Sequence, residues 1–154
     1  MDAQQTNKHQ QQPPKPGPTV LAINICDYVI RDEVTKKVSL VGLFTTIRAN
    51  SFPCMHPVLH VYVAVTNGHG HYDAEIRFVN LAKNEPLLGI TGPVDLPDPL
   101  QVAEMHFCFQ QVTFARPGEY AVEVLFDKQV IGARKFRVLG PHQSTAPTSG
   151  TEVR

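Results

Sequence analysis

The side chains best suited to chemistry in this sequence are its histidines and cysteines. Imidazole and thiolate are the ligands that zinc and related metals prefer, and a thiolate beside an imidazole can act as a nucleophile. None of the spacing patterns typical of zinc sites is present. We therefore predict no metal site and no cofactor. The candidate metal ligands that would contradict this prediction, if they bound a metal, are His56, His60, His69, His71 and His106.

The spacing of these histidines argues against a shared site. His69 and His71 flank Gly70 in a glycine-rich turn, and residues 59–65 before it alternate as a strand does. If the strands on either side of the turn form a hairpin, His60 lies roughly 25–30 Å from the turn. A metal at His60 would need ligands from another strand, such as His106 or Cys108.

His106 and Cys108 lie two positions apart and share one face of a predicted strand. Neighbours on one strand face are about 6.5–7 Å apart at the backbone, so contact between thiol and imidazole is not favoured. No Asn or Asp is placed to orient the imidazole. We predict no catalytic residue and no enzyme. The alternatives are a small metal- or thiol-dependent enzyme using His106 and Cys108, or a carbohydrate-binding module using exposed tyrosines.

The overall composition excludes several function classes. Fourteen basic and fourteen acidic residues cancel, so we expect neither a nucleic-acid nor a membrane partner. Phosphate-loop and nucleophile-elbow motifs are absent. Three widely spaced cysteines suit a reducing compartment, and no apolar run reaches the ~18–20 residues of a membrane span. The amino terminus is polar and lacks the features of a secretory signal. We expect a soluble cytoplasmic protein.

These side chains must be positioned by one central domain, predicted at residues 19–139. Residues 1–18 are rich in Gln and Pro, and residues 140–154 are rich in Ser, Thr and Pro, so we predict two disordered tails. The domain lacks any helical period and alternates repeatedly with a period of two. We predict an all-β fold, an antiparallel immunoglobulin-like β-sandwich of 7–8 strands; strand count alone leaves a closed barrel open.

The strand pattern gives specific expectations. Residues 20–30 place Leu21, Ile23, Ile25 and Val29 on one face, and residues 38–48 are apolar on both faces, which predicts a central, well-covered strand. We expect the strands before and after residues 67–71 to pair as a hairpin. The proline-rich region around residues 86–99 predicts an edge strand and loops. Residues 102–114 form a further strand.

The end of the domain carries the clearest pattern, a turn at Pro117 followed by a strand and a second strand at residues 130–138. Tyr120, Val122, Val124 and Phe126 fall on one face, which predicts burial. By analogy with sandwich corners, we expect the Tyr120 hydroxyl to bond backbone near the preceding turn. Val130 and Ile131 compete for the inward face, which predicts a β-bulge before Phe136.

Several short motifs occur in a suggestive order. They include Ile25-Cys26-Asp27, Asp32-Glu33 before Thr35, Ser51-Phe52-Pro53, Leu96-Pro97-Asp98-Pro99, and Pro117-Gly118 before Tyr120. Together they resemble a bacterial family of uncharacterised proteins, a domain of unknown function, over residues 20–138. The resemblance implies a compact immunoglobulin-like β-sandwich in a bacterial cytoplasm. It implies no activity, substrate or cofactor, so it identifies no functional residue.

The hypothesis that follows is an uncharacterised, non-enzymatic β-sandwich protein that acts as a protein-binding or structural module. Sandwiches offer loops at two ends and edge strands at the sides, and both kinds of surface bind partners without catalytic groups. The expected partner is a protein, and the sequence leaves the oligomeric state open.

Overall fold

The computed structural model describes residues 17–141, and these form nine β-strands and no helix. Most of the two predicted tails, residues 1–16 and 142–154, lies outside the described residues. Within residues 17–141 there is no helix that is long and apolar enough to cross a membrane. The strands are β1 (Thr19–Arg31), β2 (Val38–Leu43), β3 (Thr46–Arg48), β4 (Cys54–Thr66), β5 (Gly70–Asn80), β6 (Glu85–Leu96), β7 (Ala103–Phe114), β8 (Gly118–Phe126) and β9 (Gln129–Leu139).

The strands form two sheets. A four-stranded antiparallel sheet has the order β2-β1-β4-β7, and a five-stranded sheet has the order β3-β9-β8-β5-β6. The second sheet is mixed, because β3 pairs with β9 in parallel. The prediction of an all-β fold is confirmed, whereas the predicted strand count of 7–8 is wrong because the described residues form nine.

The core lies where the inner faces of the sheets meet. The predicted inward residues of β4, Leu59, Val61, Val63 and Val65, are fully buried. The aromatic rings that join the sheets meet edge to face, with Phe114 of β7 at 5.0 Å from Tyr120 of β8 between ring centroids. Such edge-to-face pairs add to the free energy gained from burial.

The predicted central strand at residues 38–48 is wrong. The chain instead forms β2, an exposed edge strand of one sheet, and then β3, an edge strand of the other. The break follows Gly42, whose φ is +69°, a conformation that residues with a Cβ rarely adopt. A Cβ at Gly42 would also overlap the carboxylate of Asp27 on β1. The apolar residues on both faces of residues 38–48 therefore reflect a segment that passes from one sheet to the other.

The predicted hairpin around residues 67–71 is also wrong. β4 pairs with β1 and β7, whereas β5 pairs with β6 and β8 in the other sheet. The glycine-rich connection therefore carries the chain from one sheet to the other. A glycine-rich turn between two alternating strands fits either geometry, so the sequence alone favoured the commoner hairpin.

Backbone irregularities account for a further difference from the alternation. The register between β1 and β4 shifts between Val20 and Ala22, and Leu21 is 54% exposed instead of inward. On β7, Gln111 has a positive φ, after which Val112 and Phe114 point inward in place of residues 111 and 113. Each extra residue moves the following side chains to the opposite face.

The last hairpin and the proline-rich edge follow the predictions. β8 pairs with β9 through a two-residue turn, Asp127–Lys128, in which both residues have positive φ. The register shifts opposite Ile131, which confirms the predicted bulge. β6 is an edge strand, as its prolines predicted.

The predicted corner at Tyr120 is confirmed: its hydroxyl donates to the carbonyl of Arg116 at 2.7 Å, and the side chain is fully buried. Tyr120→Phe leaves that carbonyl without its partner, so we expect the free energy of unfolding to fall by about 1–3 kcal/mol in a urea titration. Tyr28→Phe is the control, because the Tyr28 ring is mostly exposed, and we expect a change within about 0.5 kcal/mol. Equal stability of Tyr120→Phe and wild type would contradict the structural role of this bond.

Candidate functional site

The outer face of the four-stranded sheet collects most of the polar side chains that the sequence singled out. On β4 and β7 the inward residues alternate with outward ones, which places His60 and Tyr62 beside Glu104, His106 and Cys108. The register sets His60 opposite Cys108, and Tyr62 opposite His106. These five side chains, with Arg31 of β1, are called here the outer-face cluster.

The two histidines of the cluster contact each other diagonally across the β4–β7 ladder. His60 Nδ1 lies 2.7 Å from His106 Nε2, and the rings stack with centroids 5.0 Å apart. Diagonal neighbours on antiparallel strands are within reach of long side chains. His60 therefore has its partner on another strand, and that partner is His106, one of the two residues the sequence put forward.

A second contact links Tyr62 and Glu104. The Tyr62 hydroxyl donates to Glu104 Oε1 at 2.5 Å, and the guanidinium of Arg31 lies 3.8 Å from the other carboxylate oxygen. Arg31 also donates to the carbonyl of Lys36 in the β1–β2 turn. Glu104 thus accepts a hydrogen bond from the phenol of Tyr62 on the adjacent strand β4 and pairs with the cation of Arg31 at the end of β1.

The position of Arg31 requires β1 and β2 to bend across the sheet. Pairing of β1 with β4 ends at Cys26, opposite His60, and a straight continuation would place Arg31 near residue 55. Glu104 lies beside Ala64, about nine residues away along β4, or roughly 30 Å. Residues 26–43, here called the β1–β2 arm, therefore fold back over the outer face. Cys26 at the bend is fully buried, and its thiol donates to the carbonyl of Tyr28.

The electrostatics of the cluster favour neutral side chains at two positions. Burial lowers the pKa of His106 below its usual range, and the nearby His60 and Arg31 lower it further. Burial, the hydrogen bond to Glu104 and the charge of that carboxylate together raise the pKa of Tyr62 to about 12, against a smaller lowering by Arg31. At neutral pH the Tyr62 hydroxyl keeps its proton and donates a hydrogen bond to Glu104, so Tyr62 does not act as a base.

Several chemical roles are disfavoured by this arrangement. His106 uses one ring nitrogen on His60, and the described residues contain no hydrogen bond between the Cys108 thiol and an imidazole. Within residues 17–141 no group of three or more His, Cys, Asp or Glu side chains is arranged to hold a metal ion. What the cluster does is fasten the β1–β2 arm to the sheet, through Arg31 and the ring of Tyr28, which lies 6.0 Å from that of His60.

The other candidate histidines lie elsewhere. His56 packs its ring against Phe44 at 5.8 Å, and His71 Nδ1 lies 3.4 Å from Asp95 on β6. The backbone N–H of His69 donates to the Tyr72 hydroxyl. The structure therefore brings together His60, His106 and Cys108 on one face and separates the remaining three histidines from them.

Sequence reasoning missed Arg31, Tyr62 and Glu104 as members of the cluster. A signal for the two sheet residues was present, since polar residues at 104, 106 and 108 alternate with apolar ones in the same way as those at 60 and 62. No such signal existed for Arg31, because its position depends on the bend of the arm.

The β1–β2 arm also presents an apolar surface. Tyr28 pairs with Val41 and Cys26 with Leu43, so Tyr28, Ile30, Val41 and Leu43 share one face of the two-stranded ribbon. They are 62%, 56%, 44% and 58% exposed, respectively. These four side chains are called here the arm face. Isolated exposed apolar residues are common, whereas these four are neighbours on one ribbon and form a contiguous apolar surface.

The link between Tyr62 and Glu104 can be tested by titration. In Glu104→Gln we expect the pKa of Tyr62 to fall from about 12 toward 10, because the carboxylate charge is lost, while burial keeps it above 10. Carbon-13 NMR of labelled tyrosine ring carbons follows this group separately from the other tyrosines. Glu85→Gln on β6 is the control and leaves the value unchanged. An unchanged pKa in Glu104→Gln would show that Glu104 does not accept this proton.

The lowered pKa of His106 predicts acid sensitivity. The folded state binds a proton on His106 less well than the unfolded state does. The contribution of His106 to the free energy of unfolding is therefore complete above about pH 6.5, and it is lost as the pH falls toward the lower pKa of the folded state. We expect the urea midpoint to decrease between pH 7.5 and 5.5, and to decrease less in His106→Gln. His69→Gln, at an exposed turn, should keep the wild-type dependence. Identical pH dependence in both variants would contradict the assignment.

Comparison with known proteins gives a family but no activity. No curated protein matches the chain. Among solved structures, the chain is similar to the Pseudomonas fluorescens alkylpurine DNA glycosylase AlkC bound to DNA containing an abasic site analog, at 8% identity and a TM-score of 0.44. That match covers 62% of this chain and only 27% of the glycosylase chain, and it carries no argument about function. Residues 21–139 match the model described as "Family of unknown function (DUF6941)", so the chain belongs to that family.

Proposed function

We propose that this protein is a non-enzymatic binding module and that a partner protein covers its arm face. The observation that carries the proposal is the exposure of four neighbouring apolar side chains, Tyr28, Ile30, Val41 and Leu43, on a ribbon that ends in an edge strand. A contiguous apolar surface beside an open strand edge is favourable to cover and unfavourable to leave in water.

The other sheet edges support this proposal by contrast. Edge β6 carries Pro86 and Pro93, edge β3 is three residues long, and edge β7 carries charge and an irregular residue at Gln111. These are the devices by which proteins prevent unwanted strand pairing. β2, with the sequence Val-Ser-Leu-Val-Gly-Leu, has no charge and no proline. Of the four outermost strands among the described residues, β2 is the one that lacks such protection, and it carries part of the arm face.

The size of the arm face favours a different protein over a second copy of this chain. Even six residues along each of the two strands outline an area on the order of only 200 Å². A stable interface buries about 800 Å² per partner, so two arm faces in contact would fall well short. A partner that both covers the face and extends past it, for example by pairing with β2, satisfies that requirement.

The non-enzymatic part of the proposal rests on the outer-face cluster. Tyr62 holds its proton, His106 uses a ring nitrogen on His60, and the remaining contacts anchor the arm. Such a cluster acts as a support for the binding surface. The alternative enzyme would require Cys108 and His106 to meet, and the contacts of His106 favour His60 instead.

We also propose an immunoglobulin-like architecture and a bacterial cytoplasmic location, both implied by the resemblance described above. Support for the first comes from two packed sheets with a tyrosine corner at Tyr120. The three free cysteines, Cys26, Cys54 and Cys108, support a reducing compartment, and the bacterial origin rests on the resemblance alone.

The binding proposal is tested by Val41→Glu, with Val130→Glu as the matched control. Both replace a half-exposed strand valine with a charge, one on the arm face and one on β9. Partners are captured from the host with each variant, and the recovered protein is purified and titrated calorimetrically. We expect Val41→Glu to weaken binding at least about tenfold, and Val130→Glu to bind like wild type.

Two results would contradict the proposal. One is a purified partner that binds Val41→Glu and wild type equally well while circular dichroism shows both folded. The other is a wild-type dimer, measured by light scattering, that dissociates in Val41→Glu, because the occupant would then be a second copy of the chain.

A further inference from the structure

A second surface lies between the sheets, where two strands leave a backbone edge unpaired. β1 pairs with β4 along its first half, but on its other side it pairs with β2 only from Cys26 onward. β9 pairs with β8 throughout, but with β3 only from Arg137 onward. Among the described strands, none therefore pairs with the outer edge of residues 20–24 or of residues 132–135. This opening is called here the β1–β9 seam.

The seam is narrow at one point and open along the rest. A Cβ at Gly132 would lie 3.0 Å from Val20 Cγ2 and 3.2 Å from Ile23 Cδ1, so β1 side chains approach the β9 backbone there. Glycine permits this approach because it has no side chain. The groove along the seam has a volume of about 630 Å³ and is lined by the residues 20–24 and 132–135. It is large enough for a short extended segment.

The seam carries positive charge without compensation. Arg134 shares a face of β9 with the buried Phe136, so its half-buried side chain points toward the opening between the sheets. Within residues 17–141, Arg134 and Lys135 form no ion pair, and no acidic side chain lines the groove. By contrast, Arg77 in the same sheet lies between Glu75 and Glu123. Partial burial of a cation without a paired anion costs free energy, and binding of an anion offsets that cost.

We propose that the β1–β9 seam binds an extended, acidic segment of a partner protein, which adds a strand to the free edge of β9. Backbone hydrogen bonds to residues 132–135 would supply register, and apolar side chains of the segment would contact Val20 and Ile23. A carboxylate of the segment would pair with Arg134, a geometry in which guanidinium binds bidentately. This site goes beyond the arm face, because it uses none of the four residues of that surface.

Charge argues against the chain's own amino-terminal segment as the occupant. Residues 1–16 contain a single acid, Asp2, against Lys8 and Lys15, so their charge is of the wrong sign for Arg134. Prolines at 13, 14 and 16 lack the N–H that a strand ladder requires. The acidic segment of a partner meets both requirements.

The test uses the full chain and a heptapeptide probe, Thr-Val-Glu-Val-Glu-Val-Thr, with a lysine analogue and an analogue N-methylated at alternate residues. Amide shifts in nitrogen-15 NMR locate binding, and fluorescence anisotropy measures affinity at peptide concentrations up to about 1 mM. A random heptapeptide display library, selected on the same chain, supplies tighter sequences. We expect shifts at residues 20–24 and 132–135, and enrichment of acidic residues at alternating positions.

Two variants on one strand separate the site from general charge effects. Arg134→Glu reverses the charge in the seam, and Arg137→Glu reverses an exposed charge on the opposite face of β9. We expect Arg134→Glu to weaken binding of the acidic peptide at least about tenfold, and Arg137→Glu to change it less than about threefold. The N-methylated peptide should bind at least about tenfold more weakly than its parent.

Several results would overturn the seam proposal. They are equal binding of the lysine or N-methylated peptide, equal loss in both arginine variants, and no enrichment or shift with any peptide. Shifts confined to residues 28–43 would place the peptide on the arm face, which would overturn the seam while leaving the proposed function standing. Nuclear Overhauser contacts between the seam and residues 1–16 would identify the chain's own segment as the occupant and would also overturn it.

Discussion

The structure depends on the contact between aromatic side chains of the two sheets. Phe114 ends β7, and after three intervening residues the chain begins β8, whose Tyr120 packs edge to face on that same ring. Phe136 of β9 meets both rings, at 5.8 Å from each. The connection between the sheets is only three residues long here and is further held by the Tyr120 hydroxyl on the Arg116 carbonyl. This corner fixes which faces of the strands point inward. The outward side chains of β4, β7 and β9 are therefore not needed for the core.

Much of the fold was predictable from alternation, and the exceptions have physical causes. The strands β4, β5 and β8 bury the residues that a period of two assigns to the core. Alternation cannot say which strand pairs with which, because pairing is decided by contacts far apart in sequence. The chain near residue 42 and the connection at residues 67–70 therefore looked like continuous or adjacent structure, whereas both carry the chain between sheets.

The candidate site shows the same division. The sequence identified His60 and His106 as reactive side chains on strand faces. The predicted distance between His60 and the turn at residues 67–71 also showed that any partner of His60 must come from another strand. Their mutual contact required the β4–β7 register, which the sequence does not state. Arg31 was not predictable, because the arm bends where Asp27 lies over Gly42, a backbone geometry set by one glycine. The residues that place the arm face are thus the ones whose neighbours depend on a backbone irregularity.

The separation of β4 from β5 has a consequence for how this chain reaches its fold. Because the two strands lie in different sheets, each pairs on one side with a strand that is made much later: Cys54 pairs with Phe114, and Asn80 with Tyr120. Closing loops of this length costs conformational entropy before any contact compensates for it, and folds built from such pairings are slow to form. The local β8–β9 hairpin comes last among the described strands in chain order. During synthesis the inner faces of β1 and β4, which pair with each other, therefore remain uncovered until the strands of the second sheet are made.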